Sequence, residues 1–316
     1  MLRKSGTLVL SVLIGLCVQS KAANNPESME AAHIKSWHDL KETAKTSSPD
    51  VRYYEFKTDN GSTAHLIVVN TKSNKVWLRP YVNTPSCPTS NAASMTDAIA
   101  AVNGGYFNLS NGQSASYVTV DGKTICDPHT NPALITNQKL LPSMPAILNR
   151  TEARFLHDKS GQYSIQIARH NAPLPRDSQL LDSLQSGPQL LPDLSEREEA
   201  FLRKDVDGKE TDSIGAHKTA ARTAFGTTAD GHAMILCIAG NKQDEFSSGM
   251  TLCDVASLLK RLGCIHAMNF DGGTSTTMVV ALSDENGTVT RKMVCGRDPE
   301  TIVKSVLLVE PRAHSD

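Results

Sequence analysis

Residues 265–280, IHAMNFDGGTSTTMVV, constrain this chain more than any other stretch. They read as a short apolar strand, 265–270, that runs straight into Asp271, a Gly272-Gly273 pair and a run of hydroxyls before a second apolar strand begins at Met278. A carboxylate at a strand end is carried on a rigid element. Glycines beside it remove side chains, so backbone N–H groups can approach a ligand and form an anion-binding concavity. Alternation along the strand predicts that Asn269 and Asp271 point to the same side. Ser275, Thr276 and Thr277 add donors. The plain alternative is a hairpin turn between two buried strands, for which DG and GG are ordinary residues, and spacing alone leaves both readings open.

The same arrangement recurs earlier, where apolar residues 99–102 lead into Asn103, Gly104, Gly105 and Tyr106. A third stretch, HKTAARTAFG at 217–226, sets Arg222 among small and apolar residues. Such an arginine either snorkels to the surface or is drawn inward to meet an anion. Residues 251–262 carry the clearest helical signal: Leu252, Val255, Ala256, Leu259 and Leu262 form one apolar stripe, Thr251 and Asp254 fit a capping box, and Gly263 can end the helix.

The remaining pattern is strand-rich. Runs at 64–69 and 76–82 around a turn at 70–74 predict a hairpin, with Pro80 on an edge or bulge. Asp121-Gly122 signals a type I′ hairpin. Residues 29–44 allow a short amphipathic helix, and 193–215 read as an exposed loop or helix. The expected fold is α+β, with mixed sheets and packed helices in a single large domain over 51–316. A polar segment, 23–50, precedes it.

Residues 1–22 read as a signal peptide: Arg3 and Lys4, then an apolar run at 8–18, then small residues at Ser20 and Ala22. The run is too short for a stable membrane anchor. The expected location is therefore periplasmic or extracellular, with no integral membrane segment in the mature chain. Cys17 offers lipid attachment as an alternative. Six cysteines remain, Cys87, Cys126, Cys237, Cys253, Cys264 and Cys295, and an even number in an exported chain permits disulfides. Cys237 and Cys264 also suit buried thiols. A net charge of -1 gives no basic field for a nucleic acid. No spacing demands a metal, and no cofactor is expected.

AVNGGYF, ARTAFG, TLCDVASLLKRLGCIHAMNFDGGTSTTMVV and a closing IVKSVLLVEP occur in one order, and together they resemble the phosphodiester glycosidase family over about 101–311. The family usually carries a third glycine after the aspartate, where this chain has Thr274. The resemblance implies a phosphorylated carbohydrate substrate and cleavage of its sugar–phosphate bond. By residue type, Asp271 suits the nucleophile or base, and Arg222 suits neutralisation of the departing phosphate. Asn103, Gly104, Gly105, Asn269, Gly272, Gly273, Ser275 and Thr276 would orient sugar hydroxyls and phosphate oxygens. A non-catalytic module that binds phosphorylated glycans is the alternative.

Overall fold

TAHLIVVN and HAMILCI have almost no polar positions, a pattern that suits strands covered on both faces. The computed structural model describes residues 34–204, 207–240 and 248–312, and it places both runs in the middle of a seven-stranded sheet. The spatial order is Ala44–Lys45, Val51–Lys57, Thr63–Asn70, His232–Ile238, Arg222–Thr228, Cys264–Asn269 and Gln189–Leu191. Alternation sends Ile67, Val69, Ile235 and Cys237 into one core and Leu66, Val68, Met234 and Leu236 into another. The helix Leu252–Leu262 covers the second core with Leu252, Val255, Leu258, Leu259 and Leu262. Its start and stop match the expectation: Thr251 and Asp254 form a capping box, and Gly263 is left-handed at φ 106°.

Two five-stranded sheets enclose the first core. One has the order Val289–Cys295, Met278–Ser283, Ala100–Asn103, Ile302–Pro311 and Val76–Pro88. The other runs Lys123–Cys126, Val118–Val120, Ser178–Gln185, Thr151–Asp158 and Tyr163–Arg169. Val102, Val280 and Leu307 from the first meet Phe155 and Leu184 from the second, together with Phe225 of the large sheet and Phe270 just past its strand Cys264–Asn269.

The architecture is mostly β, 45% strand against 16% helix, which corrects the expectation of packed helices. Among the described residues only Leu252–Leu262 exceeds seven residues as an α-helix, because no other segment sustains a 3.6-residue apolar stripe. Nor are the sheets mixed, since every described pairing between named strands is antiparallel. The hairpin expected from 64–69 and 76–82 does not form. Thr63–Asn70 needs a partner on each side and pairs with Val51–Lys57 and His232–Ile238, while Val76–Pro88 crosses to the other sheet and pairs with Ile302–Pro311. Pro80 does lie on an edge strand. Asp121 and Gly122, at φ 50° and 72°, turn the expected hairpin. Leu202–Lys204 and Glu210–Asp212 pair as a ribbon where a loop or helix was expected.

The leader, Cys17 and the start of the helix expected over 29–44 lie outside the described residues. The described part of that stretch forms a 3-10 turn, Trp37–Asp39, and the strand Ala44–Lys45. All six described cysteines are free thiols, with Cys237 and Cys264 buried. Among the described residues no helix is long and apolar enough to cross a membrane.

Candidate active site

The strands ending at Asn103 and Asn269 and the strand beginning at Arg222 are stitched together at one place. Phe270 N donates to Thr223 O at 2.8 Å, and Asp271 N donates to Gly104 O at 3.0 Å. Asn103, fully buried, joins all three: its Nδ2 donates to Asp271 O at 2.5 Å, and its Oδ1 accepts from Thr223 Oγ1 at 2.7 Å and Thr277 N at 3.1 Å. After Asp271 the chain makes the 3-10 turn Gly273–Ser275 and leaves as Met278–Ser283 in the other sheet. The two strands flanking Asp271 therefore do not pair with each other, and the simple hairpin reading fails. Asp271 is half-buried, and its Oδ1 accepts from Gly272 N at 2.9 Å.

The glycine pairs pack close rather than present bare amides. Gly104 N and Gly105 N donate to Ser305 O at 2.9 Å and Ser305 Oγ at 3.1 Å. Gly272 N is taken by Asp271, and Gly273 N donates to Ala221 O at 2.8 Å. A Cβ on Gly104 would lie 2.8 Å from Ser305 Oγ and 2.9 Å from its carbonyl, so only glycine lets these backbones meet. Gly273 is left-handed at φ 58°. Thr274, in place of the family's usual third glycine, is not among the residues with positive φ, so a β-branched side chain fits there without strain.

The expected polar residues are mostly internal. The strand stops at Asn269, so its alternation does not extend to Asp271. Asn269 is buried, and its Nδ2 donates to Tyr106 Oη at 2.9 Å and Gly187 O at 3.3 Å. Ser275 and Thr276 are buried, and Thr276 Oγ1 has no partner among the described residues. Arg222, 2% exposed, does sit against the Asp271 turn, since a Cβ on Gly272 would be 3.8 Å from its Cδ. Four of its five N–H donors go to carbonyls. Nε donates to Met250 O at 3.0 Å, Nη1 to Ile214 O at 3.0 Å, and Nη2 to Gly215 O at 2.6 Å and Lys218 O at 2.8 Å. A guanidinium so engaged fixes the 214–218 segment and cannot at the same time present a two-pronged fork to phosphate.

Two residues not singled out from the sequence join the group. Tyr106 donates from Oη to Gly187 O at 3.0 Å. Burial, and then the charge of Asp271, hold its hydroxyl well above the usual phenol range, so it stays protonated. Its position directly after Gly104-Gly105 was an available signal. Arg150 lies with its guanidinium carbon 5.9 Å from the centre of the Tyr106 ring; nothing in the surrounding NRTEARF marks it. Among the described residues no group of three or more His, Cys, Asp or Glu is placed to hold a metal ion.

A model of the phosphodiester glycosidase family matches residues 96–310. The chain belongs to the phosphodiester glycosidase family. The matched span contains Asn103, Tyr106, Arg150, Arg222 and Asp271. Among solved structures it is similar to the catalytic domain of zebrafish N-acetylglucosamine-1-phosphodiester alpha-N-acetylglucosaminidase, auto-inhibited by its pro-peptide. That match has 18% identity and a TM-score of 0.56, covering 86% of this chain and 88% of the other. A hypothetical protein from Synechocystis matches with 14% identity and a TM-score of 0.56, over 86% of this chain and 64% of its own. At these identities the likeness is one of fold. No curated protein matches by sequence.

Proposed function

We propose that this chain is an exported hydrolase that cleaves a sugar-1-phosphodiester, releasing the sugar and leaving a phosphomonoester. The observation that carries the reading is Asp271 itself. Within the family span it is a half-buried carboxylate whose backbone is fixed through Gly104 O and Asn103 Nδ2, and one of its oxygens is oriented by Gly272 N.

Cleavage at an anomeric carbon passes through an oxocarbenium-like transition state, and most glycosidases supply a second carboxyl group to protonate the leaving oxygen. A phosphomonoester leaves well without that proton, so one carboxylate suffices as nucleophile or as base toward water. The water oxygen ends bonded to the anomeric carbon. The carbon–oxygen bond to phosphate breaks, and its electron pair departs with the phosphate. Arg222 holds the 214–218 segment against the Asp271 turn and adds a fixed positive charge beneath it. The sequence of the leader supports export, and the substrate named for the zebrafish enzyme is the first of its class to try.

Turnover of synthetic sugar-1-phosphodiesters in ¹⁸O-water tests the reading. The label should enter the sugar's anomeric hydroxyl, and Asp271→Asn should lower turnover by at least about a hundredfold while substrate still binds. Label found in the phosphate, or full activity in Asp271→Asn, would sink it. Binding without turnover by the wild-type chain would make it a glycan-binding module instead.

A further inference from the structure

Three arginines are buried among the described residues: Arg150, Arg154 and Arg222. Leaving a buried charge without partners is costly, so a buried arginine is normally surrounded by acceptors. Arg154 follows this rule, with Glu152 on Nε, Gln166 and Ala172 O on Nη1, and Arg169 O and His170 O on Nη2. Arg222 follows it too. Arg150, 8% exposed, departs from it.

Only Nε of Arg150 is engaged, donating to Glu199 O at 3.0 Å. Nη1 and Nη2 have no hydrogen-bond partner among the described residues. They are also not among the unpartnered atoms sealed from solvent, so they keep some contact with solvent. One face of the guanidinium is covered by Phe201, with Cζ 3.7 Å from the ring centre. The anchored Nε and the covered face fix the plane of the group and leave a two-nitrogen fork at its outer edge, the geometry that suits two oxygens of one phosphate.

The nearby carboxylate does not occupy this fork. Glu199, fully buried, accepts from Thr151 N at 2.8 Å, Thr151 Oγ1 at 2.7 Å, Gln189 N at 2.8 Å and Ser195 Oγ at 2.6 Å. Arg169 Nε lies 3.7 Å from it as a further partner. Arg150 meets the Glu199 carbonyl, not its carboxylate. Burial pulls the Arg150 pKa down to about 10, which leaves it a cation at neutral pH. Tyr106 connects it to the candidate site: its ring faces Arg150, and its hydroxyl accepts from Asn269, two residues before Asp271.

The geometry points to Arg150 as the phosphate-binding residue of this site, its Nη edge taking two oxygens of the substrate's phosphodiester and of the phosphomonoester that remains. This rests on the reading of the chain as a sugar-phosphodiester hydrolase. It gives Arg150 the work that the sequence pattern suggested for Arg222, and it explains how an anion is recognised where the glycine amides are already bonded.

Calorimetric titration of the full chain with inorganic phosphate, beside the turnover assay, tests the assignment. Wild type should bind phosphate. Arg150→Lys and Arg150→Gln, shown to be folded by circular dichroism, should bind it at least about tenfold more weakly and raise KM for the diester. Asp271→Asn should keep phosphate binding. Folded Arg150 variants that match wild type in both readouts, or a wild type that binds no phosphate, overturn the proposal. If wild type binds phosphate through Arg150 yet hydrolyses no sugar phosphodiester, the proposed function falls and the anion site stands. Should the variants fail to fold, crystals of wild type soaked in phosphate decide: an anion on Nη1 and Nη2 supports the site, and its absence there overturns it.

Discussion

Asn103 uses both ends of its amide on groups from three elements; alanine there would leave Asp271 O and Thr277 N without that partner and Thr223 Oγ1 with only Cys237 Sγ at 3.7 Å. Each buried group left unpaired costs about 1–3 kcal/mol. Asn103→Ala should therefore lose at least about 2 kcal/mol of stability in urea denaturation and also lose turnover, since Asp271 is no longer held. A variant of normal stability would show that the amide contacts substrate rather than the fold. The sequence drew attention to Asn103, Asp271 and the glycines as a group, because small residues beside a polar side chain recur at two strand ends. It did not tell which of them face a ligand. That depends on where each N–H and C=O finds its partner, and those partners are between 52 and 201 residues away for Gly104 N and Gly273 N and the groups around Asn103.

The helix Leu252–Leu262 delivers the chain through Gly263 into Cys264–Asn269, the strand that ends at the site. Its capping box is local and complete. Thr251→Ala should cost about 1 kcal/mol of stability. The helix packs on the face of the sheet away from the core that holds Phe270, so turnover in the folded variant should change little. Denaturation at matched conditions and a steady-state assay check both halves; a large loss of turnover at unchanged stability would contradict the argument. This element was legible because its stripe, cap and terminating glycine all lie within thirteen residues, 251–263. The strands were legible as strands but not as pairs. The 64–69 and 76–82 runs looked like a hairpin because they are adjacent in sequence, yet the burial of both faces of Thr63–Asn70 requires partners from elsewhere.

Across the molecule, the seven-stranded sheet buries one titratable group with a clear pH consequence. His65 is 5% exposed and its Nδ1 lies 2.9 Å from Tyr53 Oη. Burial lowers its pKa from 6.5, and the charge of Glu55 offsets this only in part. The folded state then takes up its proton later than the unfolded state on acidification, so the neutral imidazole contributes stability above the unfolded pKa. That contribution is lost progressively as pH falls below about 6.5 toward the folded pKa. Urea denaturation between pH 7 and pH 5 should show stability falling, and His65→Gln should flatten this part of the curve. An unchanged slope in His65→Gln would place the acid sensitivity elsewhere.

The chain order of its short stretches determined much of this protein: the Asp271 turn, the repeated glycine pair, the capped helix, the Asp121-Gly122 hairpin and the family to which they point. These signals are local, since capping, turn chemistry and alternation act over a few residues. The tertiary structure alone decided the rest. It divided the strands on either side of Asp271 between two sheets, and it closed the amides of both glycine pairs. It also surrounded Arg222 with carbonyls while leaving the outer edge of Arg150 open. Along the chain Arg150 has unremarkable surroundings and Arg222 stands among small and apolar residues, and neither setting says which one is left with an open edge. What distinguishes them is how many acceptors the folded backbone brings within reach, and that is a property of distant segments meeting, which no local pattern encodes.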